Sequence, residues 1–175
     1  SNTEYRANPT NRCFYCKTSL YTALQEIAET EHYDYILNGT NIDDLGDHRP
    51  GLQAASDFSI RSPLVETDFC KSDIRTLAEY LGLENAQKPQ AACLSSRFPY
   101  GSHITQERLA QVEAAEDVLA DLGFTQYRVR HHEEVARIEI VAQEMPHAIE
   151  VAEIIDERVR TCGYRFVSLD LGGFR

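Results

Sequence analysis

The sequence predicts an α/β layer followed by a small α+β unit with an antiparallel sheet, and three observations carry that prediction. Between about residues 12 and 82, apolar positions recur at helical spacing, then as a short aromatic and aliphatic run, then at helical spacing again. That alternation belongs to layered α/β folds. After Gly101 the order becomes helix, two alternating strands, helix and strand, a series that closes one three-stranded sheet with two helices on one face. Between them lies KPQAACLSSRFPYG at positions 88–101, where Cys93 sits among small residues ahead of Ser96, Arg97 and a Pro-Tyr-Gly breaker. The expected boundary falls near positions 99–102, dividing residues 1–100 from residues 101–175.

Each element has its own signal. Asn11 can cap a helix that starts at the C-x-x-C of Cys13 and Cys16 and carries Leu20, Tyr21, Leu24, Ile27 and Ala28 on one face. Residues 33–37, YDYIL, read as a buried strand ended by Asn38 and Gly39. A lone strand cannot make a sheet, so its partners are expected upstream of Ser1. Polar loops at 39–44 and 47–51 lead to a short helix over 52–59, and residues 62–65 read as extended. Thr67 or Asp68 can cap the next helix, whose inner face is Ile74, Leu77, Ala78 and Leu81 and whose stop is Gly82.

In the second part, Thr105 caps a helix over Leu109, Val112, Ala115, Val118 and Leu122, which ends at Gly123. Strands are expected over 125–130 and 136–141, joined by a turn at 131–134. A helix from Pro146 to Gly163 and a strand over 164–171 complete the series.

Composition narrows the function. Of 175 residues 42% are hydrophobic and 26% charged, enough for a real core in one medium or two small domains. The net charge of −11 argues against a broad nucleic-acid footprint, which needs a basic surface. No apolar run approaches membrane-spanning length and no leader pattern begins the chain, so a cytoplasmic protein without a membrane partner is expected. Five cysteines at these spacings do not form a secreted disulfide framework, and the C-x-x-C points to metal or redox chemistry.

Four groups of residues can carry chemistry. Cys13 and Cys16 lie about one helical turn apart and can share a metal or a disulfide, or simply pack at a helix start; zinc would need two further ligands, which have no matching motif. Cys93 changes that balance, because three thiolates leave one iron of an iron–sulfur cluster open to another ligand. Gly39, Thr40, Asn41 and the acids Asp43 and Asp44 follow a strand at its carboxyl end, where open α/β sheets place ligands, and the acids can hold Mg2+ against phosphate. The plainer alternative is an ordinary polar loop.

Arg128 and Arg130 alternate along a strand and share a face; with Arg97 they can clamp a phosphate, or pair with Glu133, Glu134 or Glu139 on a solvated face. Glu116 is a surface residue by default. Cys70 and Cys162 read as small core residues, and the adjacent His131 and His132 as turn surface whose side chains point apart.

Taken as a set, NPTNRCFYCKTSLY at 8–21, YILNGTNIDDLGDHRPGLQAA at 35–55, RSPL at 61–64, KPQAACLSSRFPYG and the closing FVSLDLGGFR resemble the LarE family of ATP-dependent sulfur transferases, within the PP-loop ATP pyrophosphatase superfamily. The resemblance runs through nearly the whole chain. It implies that the first hundred residues are part of an adenine nucleotide alpha hydrolase-like PP-loop domain, and that the rest binds substrate and supports a homo-oligomer. It also implies that ATP adenylates a carboxylate of a pyridinium biscarboxylate mononucleotide, the small-molecule substrate, and that sulfur then displaces AMP.

In one branch of the family three cysteines hold a 4Fe-4S cluster; in another the enzyme's own cysteine is sacrificed. Cys13, Cys16 and Cys93 look like the cluster set, and Cys93 also matches the sacrificial position. By the same carry-over, Gly39, Thr40, Asn41 and Asp44 lie by the adenylate and its metal. Ser96, Arg97, Arg128 and Arg130 bind the substrate phosphate, and Glu116 faces a metal. The SGGxDS loop of the superfamily is absent from these residues and is expected before Ser1, so ATP cleavage is not expected of this chain alone. Kept beside this reading are a tRNA-thiolating or amide-forming relative and a non-catalytic module whose C-x-x-C holds zinc or nothing.

Overall fold

The chain forms two units, one of residues 1–5 and 9–91 and the other of residues 6–8 and 92–175. The computed structural model describes residues 2–46, 50–88 and 91–174. Asp47, His48 and Arg49 of the second expected loop, and Pro89 and Gln90 of the cysteine-bearing segment, lie outside the described residues.

After a single turn, α1 (Thr3–Arg6), the first unit is built on α2 (Arg12–Glu31), where the apolar spacing placed it. Asn11 occupies the cap position, although its side chain makes no capping bond. Tyr21 packs with Ala54 and Ala55 of α3 (Pro50–Asp57), and Phe14, Leu24, Phe58 and Ile60 surround them. Alanines at the crossing let the two helices approach closely.

The expected buried strand at 33–37 is not formed. Leu37 makes one parallel bridge to Arg61, and Tyr33, Tyr35 and Leu37 are exposed. A strand is buried by its neighbours, and only the 60–61 segment pairs with this one among the described residues. Residues 62–65 are likewise not extended: Pro63 starts α4 (Pro63–Glu66), where a missing N–H costs nothing at the first helical position. The cap of α5 (Lys71–Tyr80) is Cys70, not Thr67 or Asp68. Its sulfur and the Asp73 carboxylate form a capping box, so Cys70 is a terminus residue and not a core one.

The second unit holds α6 (Gln106–Asp121), β1 (Tyr127–His132), β2 (Val135–Ile140), α7 (Met145–Glu150), α8 (Ala152–Thr161) and β3 (Phe166–Leu169). Thr105 caps α6 by accepting from the Arg108 N–H at 3.2 Å, and Gly123 follows the helix with φ +87°. β1 and β2 pair antiparallel, with Val129 opposite Ile138 and Arg130 opposite Arg137. β3 joins β2 in parallel, so the sheet is mixed in order β1-β2-β3. The expected single helix from Pro146 to Gly163 is broken at Val151 into α7 and α8, which together return the chain to the same end of the sheet, as a crossover to a parallel neighbour requires.

Val112, Ala115 and Leu119 of α6, Ile155 and Val159 of α8, and Val129, Ala136, Ile138 and Ile140 of the sheet are buried. Both helices therefore cover one sheet face. The expected turn at 131–134 shrinks to Glu133 and Glu134, because His131 and His132 continue β1. His131 is buried and His132 exposed, so they do point apart, but His131 belongs to the interior. No described helix is long and apolar enough to cross a membrane.

Candidate functional site

In the first unit the residues at 38–44 form a loop that caps itself. The Thr40 N–H donates to Asn38 Oδ1 at 3.0 Å, and the Asp43 N–H to Asn41 Oδ1 at 3.0 Å. The Asn41 N–H donates to Asp44 Oδ2 at 3.1 Å. Such local bonds are what Asn and Asp offer a turn. Asp43 Oδ2 accepts from the Lys71 N–H at 2.7 Å, placing a carboxylate at the positive end of α5.

Beside this loop lies a cavity of about 720 Å3 lined by Gly39, Asn41, Asp43 and Asp44 on one side and by Lys71, Arg75 and Lys88 on another. The loop that sequence singled out thus borders a cavity with both signs of charge. Its lysines and arginine were not foreseen; their signal was the cationic spacing of Lys71 and Arg75 along one helix. Thr40 is not among the lining residues. Cys13 and Cys16 stand in the opening turns of α2 as exposed thiols, neither of them in a disulfide.

The second unit gathers the arginines. Cys93 precedes a 3-10 turn, Leu94–Arg97, with its thiol exposed. The Ser96 N–H donates to the Cys93 carbonyl at 2.9 Å, closing the turn. Arg97 and Glu116 form a nearly buried, two-pronged ion pair: Nε donates to Oε1 at 2.7 Å and Nη2 to Oε2 at 3.0 Å. Arg97 Nη1 donates to the Ala92 carbonyl at 3.0 Å and to Ser96 Oγ at 3.0 Å. Glu116 Oε1 also accepts the Val129 N–H at 3.0 Å, satisfying a donor on the edge of the sheet. Glu116 is therefore not a surface residue, and both its oxygens are engaged.

Arg128 and Arg130 share the sheet face away from the helices, as strand alternation requires. Arg130 Nη1 donates to the Ser96 carbonyl at 2.9 Å, and its Nη2 lies 2.9 Å from Glu139 Oε2. A cleft of about 340 Å3 opens among Ser96, Arg97, Arg130, His132, Arg137 and Glu139. Within it, Arg130 Nε and Glu139 Oε2 are buried without an aligned hydrogen bond. Buried polar atoms of this kind call for a further partner.

Arg128 lies over the Phe174 ring at 4.3 Å. Burial, and then repulsion by Arg130 and Arg97, holds its guanidinium below the ordinary arginine range, with Glu139 and Glu116 opposing. Cations that disfavour one another on one face are stabilised by an anion placed among them. Sequence reasoning missed Arg137 and His132; Arg137 was legible as the cross-strand partner of Arg130 once the register was known.

One further contact lay hidden at the start of the chain. Asn8, with φ +54° and fully buried, donates from Nδ2 to the Pro99 carbonyl at 2.7 Å, and its carbonyl accepts the Gly101 N–H at 2.8 Å. The Asn8-Pro9 turn signal thus marks a latch on the 99–101 turn.

The structure brings Cys93, Ser96, Arg97, Glu116, Arg128 and Arg130 into the second unit, and Cys13, Cys16, Gly39, Thr40, Asn41 and Asp44 into the first. Among the described residues no three His, Cys, Asp or Glu side chains are gathered as a metal site.

No family model matches the chain. Among curated proteins it is 42% identical, over its whole length, to an uncharacterised protein of Synechocystis, covering 66% of that protein. It is 40% identical, again over its whole length, to the pyridinium-3,5-bisthiocarboxylic acid mononucleotide synthase of Lactiplantibacillus plantarum, covering 63% of it. It is 32% identical over 96% of its length to an uncharacterised protein of Methanocaldococcus jannaschii, covering 66% of it. The chain thus spans just under two thirds of the length of these relatives. At 40% identity along all of its residues the chain is similar to the synthase throughout, which agrees with the resemblance of its motifs to the LarE family.

Proposed function

We propose that this protein is a sulfur-inserting synthase that converts a carboxylate of pyridinium-3,5-biscarboxylic acid mononucleotide to a thiocarboxylate, a step in making a nickel-pincer nucleotide. One observation carries the reading: the exposed Cys93 opens the turn whose Ser96 is held by Arg130 of the cationic face. The thiol thus stands on a turn that is bonded to the arginine-bearing strand. The name of the 40% identical synthase supplies the substrate class.

In this reading ATP adenylates the carboxylate and pyrophosphate leaves. Sulfur next attacks the activated carbonyl and AMP departs. Ser96, Arg128 and Arg130 hold the nucleotide phosphate, with Arg97 fixing their turn. Gly39, Thr40 and Asn41 belong to the adenylate side, with Asp44 toward Mg2+ and the pyrophosphate-binding PP-loop supplied by residues outside this chain. Glu116 is left out of the metal set because Arg97 and Val129 occupy its oxygens.

Cys13, Cys16 and Cys93 are all exposed thiols, the donor type that a 4Fe-4S cluster takes. When bound, such a cluster supplies sulfide for the attack. A second reading has its own support, since Cys93 alone of the three shares a unit with the arginine face. There the Cys93 sulfur attacks the acyl adenylate, and loss of the Cα proton with cleavage of Cβ–S leaves dehydroalanine and the thiocarboxylate. Both versions place the work in the cytoplasm, in a homo-oligomer, without nucleic acid or membrane.

The test uses the protein at its natural length, purified without oxygen and given ATP, Mg2+ and the biscarboxylate mononucleotide. Pyrophosphate release and a thiocarboxylate product by mass spectrometry are expected, and Cys93→Ala should abolish the product. Product that needs Cys13 and Cys16 indicates the cluster version; a Cys93 lighter by the mass of hydrogen sulfide indicates the sacrificial one. Pyrophosphate release with tRNA or ammonia in place of the mononucleotide would overturn the proposal.

A further inference from the structure

We infer that Glu116 is a positioning residue that sets, through Arg97, the shape of the turn presenting Cys93. The inference rests on the proposed role of Cys93 for its link to activity, but the clamp itself stands on geometry.

A four-residue 3-10 turn has little stability of its own, because its hydrogen bonds are poorly aligned and its nucleus is costly. Something must hold Leu94–Arg97 in one shape, and the Arg97 guanidinium has the right connections. Two of its nitrogens are locked on Glu116. The third donates to the Ala92 carbonyl at 3.0 Å and reaches the Cys93 carbonyl at 3.4 Å, pulling the backbone of the cysteine inward. The thiol is left on the outside.

Glu116 in turn cannot swing, since its Oε1 also takes the Val129 N–H of β1. One carboxylate therefore ties together α6, the sheet edge and the cysteine turn. Arg97 borders the cleft beside Arg130, but its side chain is only 8% exposed and its nitrogens are engaged by Glu116 and the turn, so its charge is committed to this clamp. Lysine could supply the charge at 97 but not the planar fork that grips a carboxylate and a carbonyl together.

Glu116→Gln keeps the shape of the side chain and removes its charge; Arg97→Lys keeps the charge and removes the fork. In the chain as it stands, hydrogen exchange is followed at the amides of Ser96 and Phe98, with Ile138 and Ile140 in β2 as internal references. Each variant is expected to speed exchange in the turn by about tenfold, equivalent to ~1.4 kcal/mol, and to leave the references within about twofold. The double variant should be no faster than either single one, because both act on one clamp. In the natural-length protein kcat for thiocarboxylate formation should fall about tenfold or more, with KM within about twofold.

Unchanged exchange in the turn overturns the inference, as does a loss confined to KM, which would make Arg97 a substrate anchor instead. Faster exchange with full activity in Cys93→Ala would keep the clamp and sink the sulfur role of Cys93. Full loss in Cys93→Ala with unaltered exchange and kcat in Glu116→Gln would do the reverse.

Discussion

The two units bury their residues in opposite styles. In the second, a continuous core runs from Ala115, Leu119 and Val118 of α6 through Val129, Ile138 and Ile140 to Ile155 and Val159 of α8. In the first, the buried apolar side chains among the described residues are Tyr21, Ala54 and Ala55, while Tyr33, Tyr35, Leu37, Tyr80 and Leu81 are exposed. Similar lengths of chain thus yield a closed hydrophobic layer in one case and a helix pair with an uncovered apolar surface in the other. A helix series closes on itself when a sheet supplies the facing layer; a lone bridge at Leu37 and Arg61 supplies none. The functional groups follow the same division. The closed unit holds its arginines and Glu116 in fixed geometry, and the open unit carries its polar groups on a self-capped loop beside a cavity.

This contrast can be broken by substitution. The largest effect is expected for Leu119→Ala, which empties a fully buried site in the second unit and should cost about 2–5 kcal/mol in urea unfolding. If the units unfold separately, helical signal from α2 should survive that transition. A smaller loss of about 1–3 kcal/mol is expected for Ala54→Leu, which overfills the α2–α3 crossing and should act on the first unit's transition alone. Loss of both transitions together in either variant would show that the two cores act as one.

Acid should act next, and on the second unit. Burial pushes the His131 imidazole below its ordinary value, with Arg108 and His132 acting in the same direction and Glu133 against them. Its Nδ1 meets the Tyr164 hydroxyl at 3.1 Å, its ring packs on Phe98, and its Nε2 is buried without a partner. A histidine with a lowered folded pKa takes up its proton more readily when unfolded. Stability is therefore fully present above about 6.5, declines as pH falls below it, and levels off beneath the folded pKa. His131→Phe should flatten that part of the melting-temperature profile between about pH 7 and 5; an unaltered slope would assign the acid sensitivity to other groups. The smallest effect belongs to Tyr80→Ser in the first unit, within about 0.5 kcal/mol, because Tyr80 is 86% exposed. A larger change would mean that its ring is covered in solution.

Much of the architecture could be read from local patterns. The long helix from Arg12, the Thr105 cap, the Gly123 stop and the alternation of β1 and β2 each depend on residues close in sequence. Failures came where a neighbour decides. Residues 33–37 have strand chemistry but lack a ladder to complete it, and Pro63 turned an extended reading into a helix start. His131 looked like turn surface because nothing local announces that Phe98 and Tyr164 will close over it. The site divides the same way. Cys93, Ser96 and Arg97 announce themselves by sitting together, and Arg128 with Arg130 by strand period. Glu116, nineteen positions beyond Arg97, has no local mark of its pairing.

By itself the sequence determined the long helices, the strand alternation of the second unit and the set of motifs that resembles one family, because those properties reside in side chains and short-range periods. Tertiary structure alone decided how β3 joins the sheet, which carboxylate each arginine meets, and that Glu116 grips Arg97 of the cysteine turn. The reason is physical: a charge or a strand has no settled role until packing fixes what lies within hydrogen-bond reach of it.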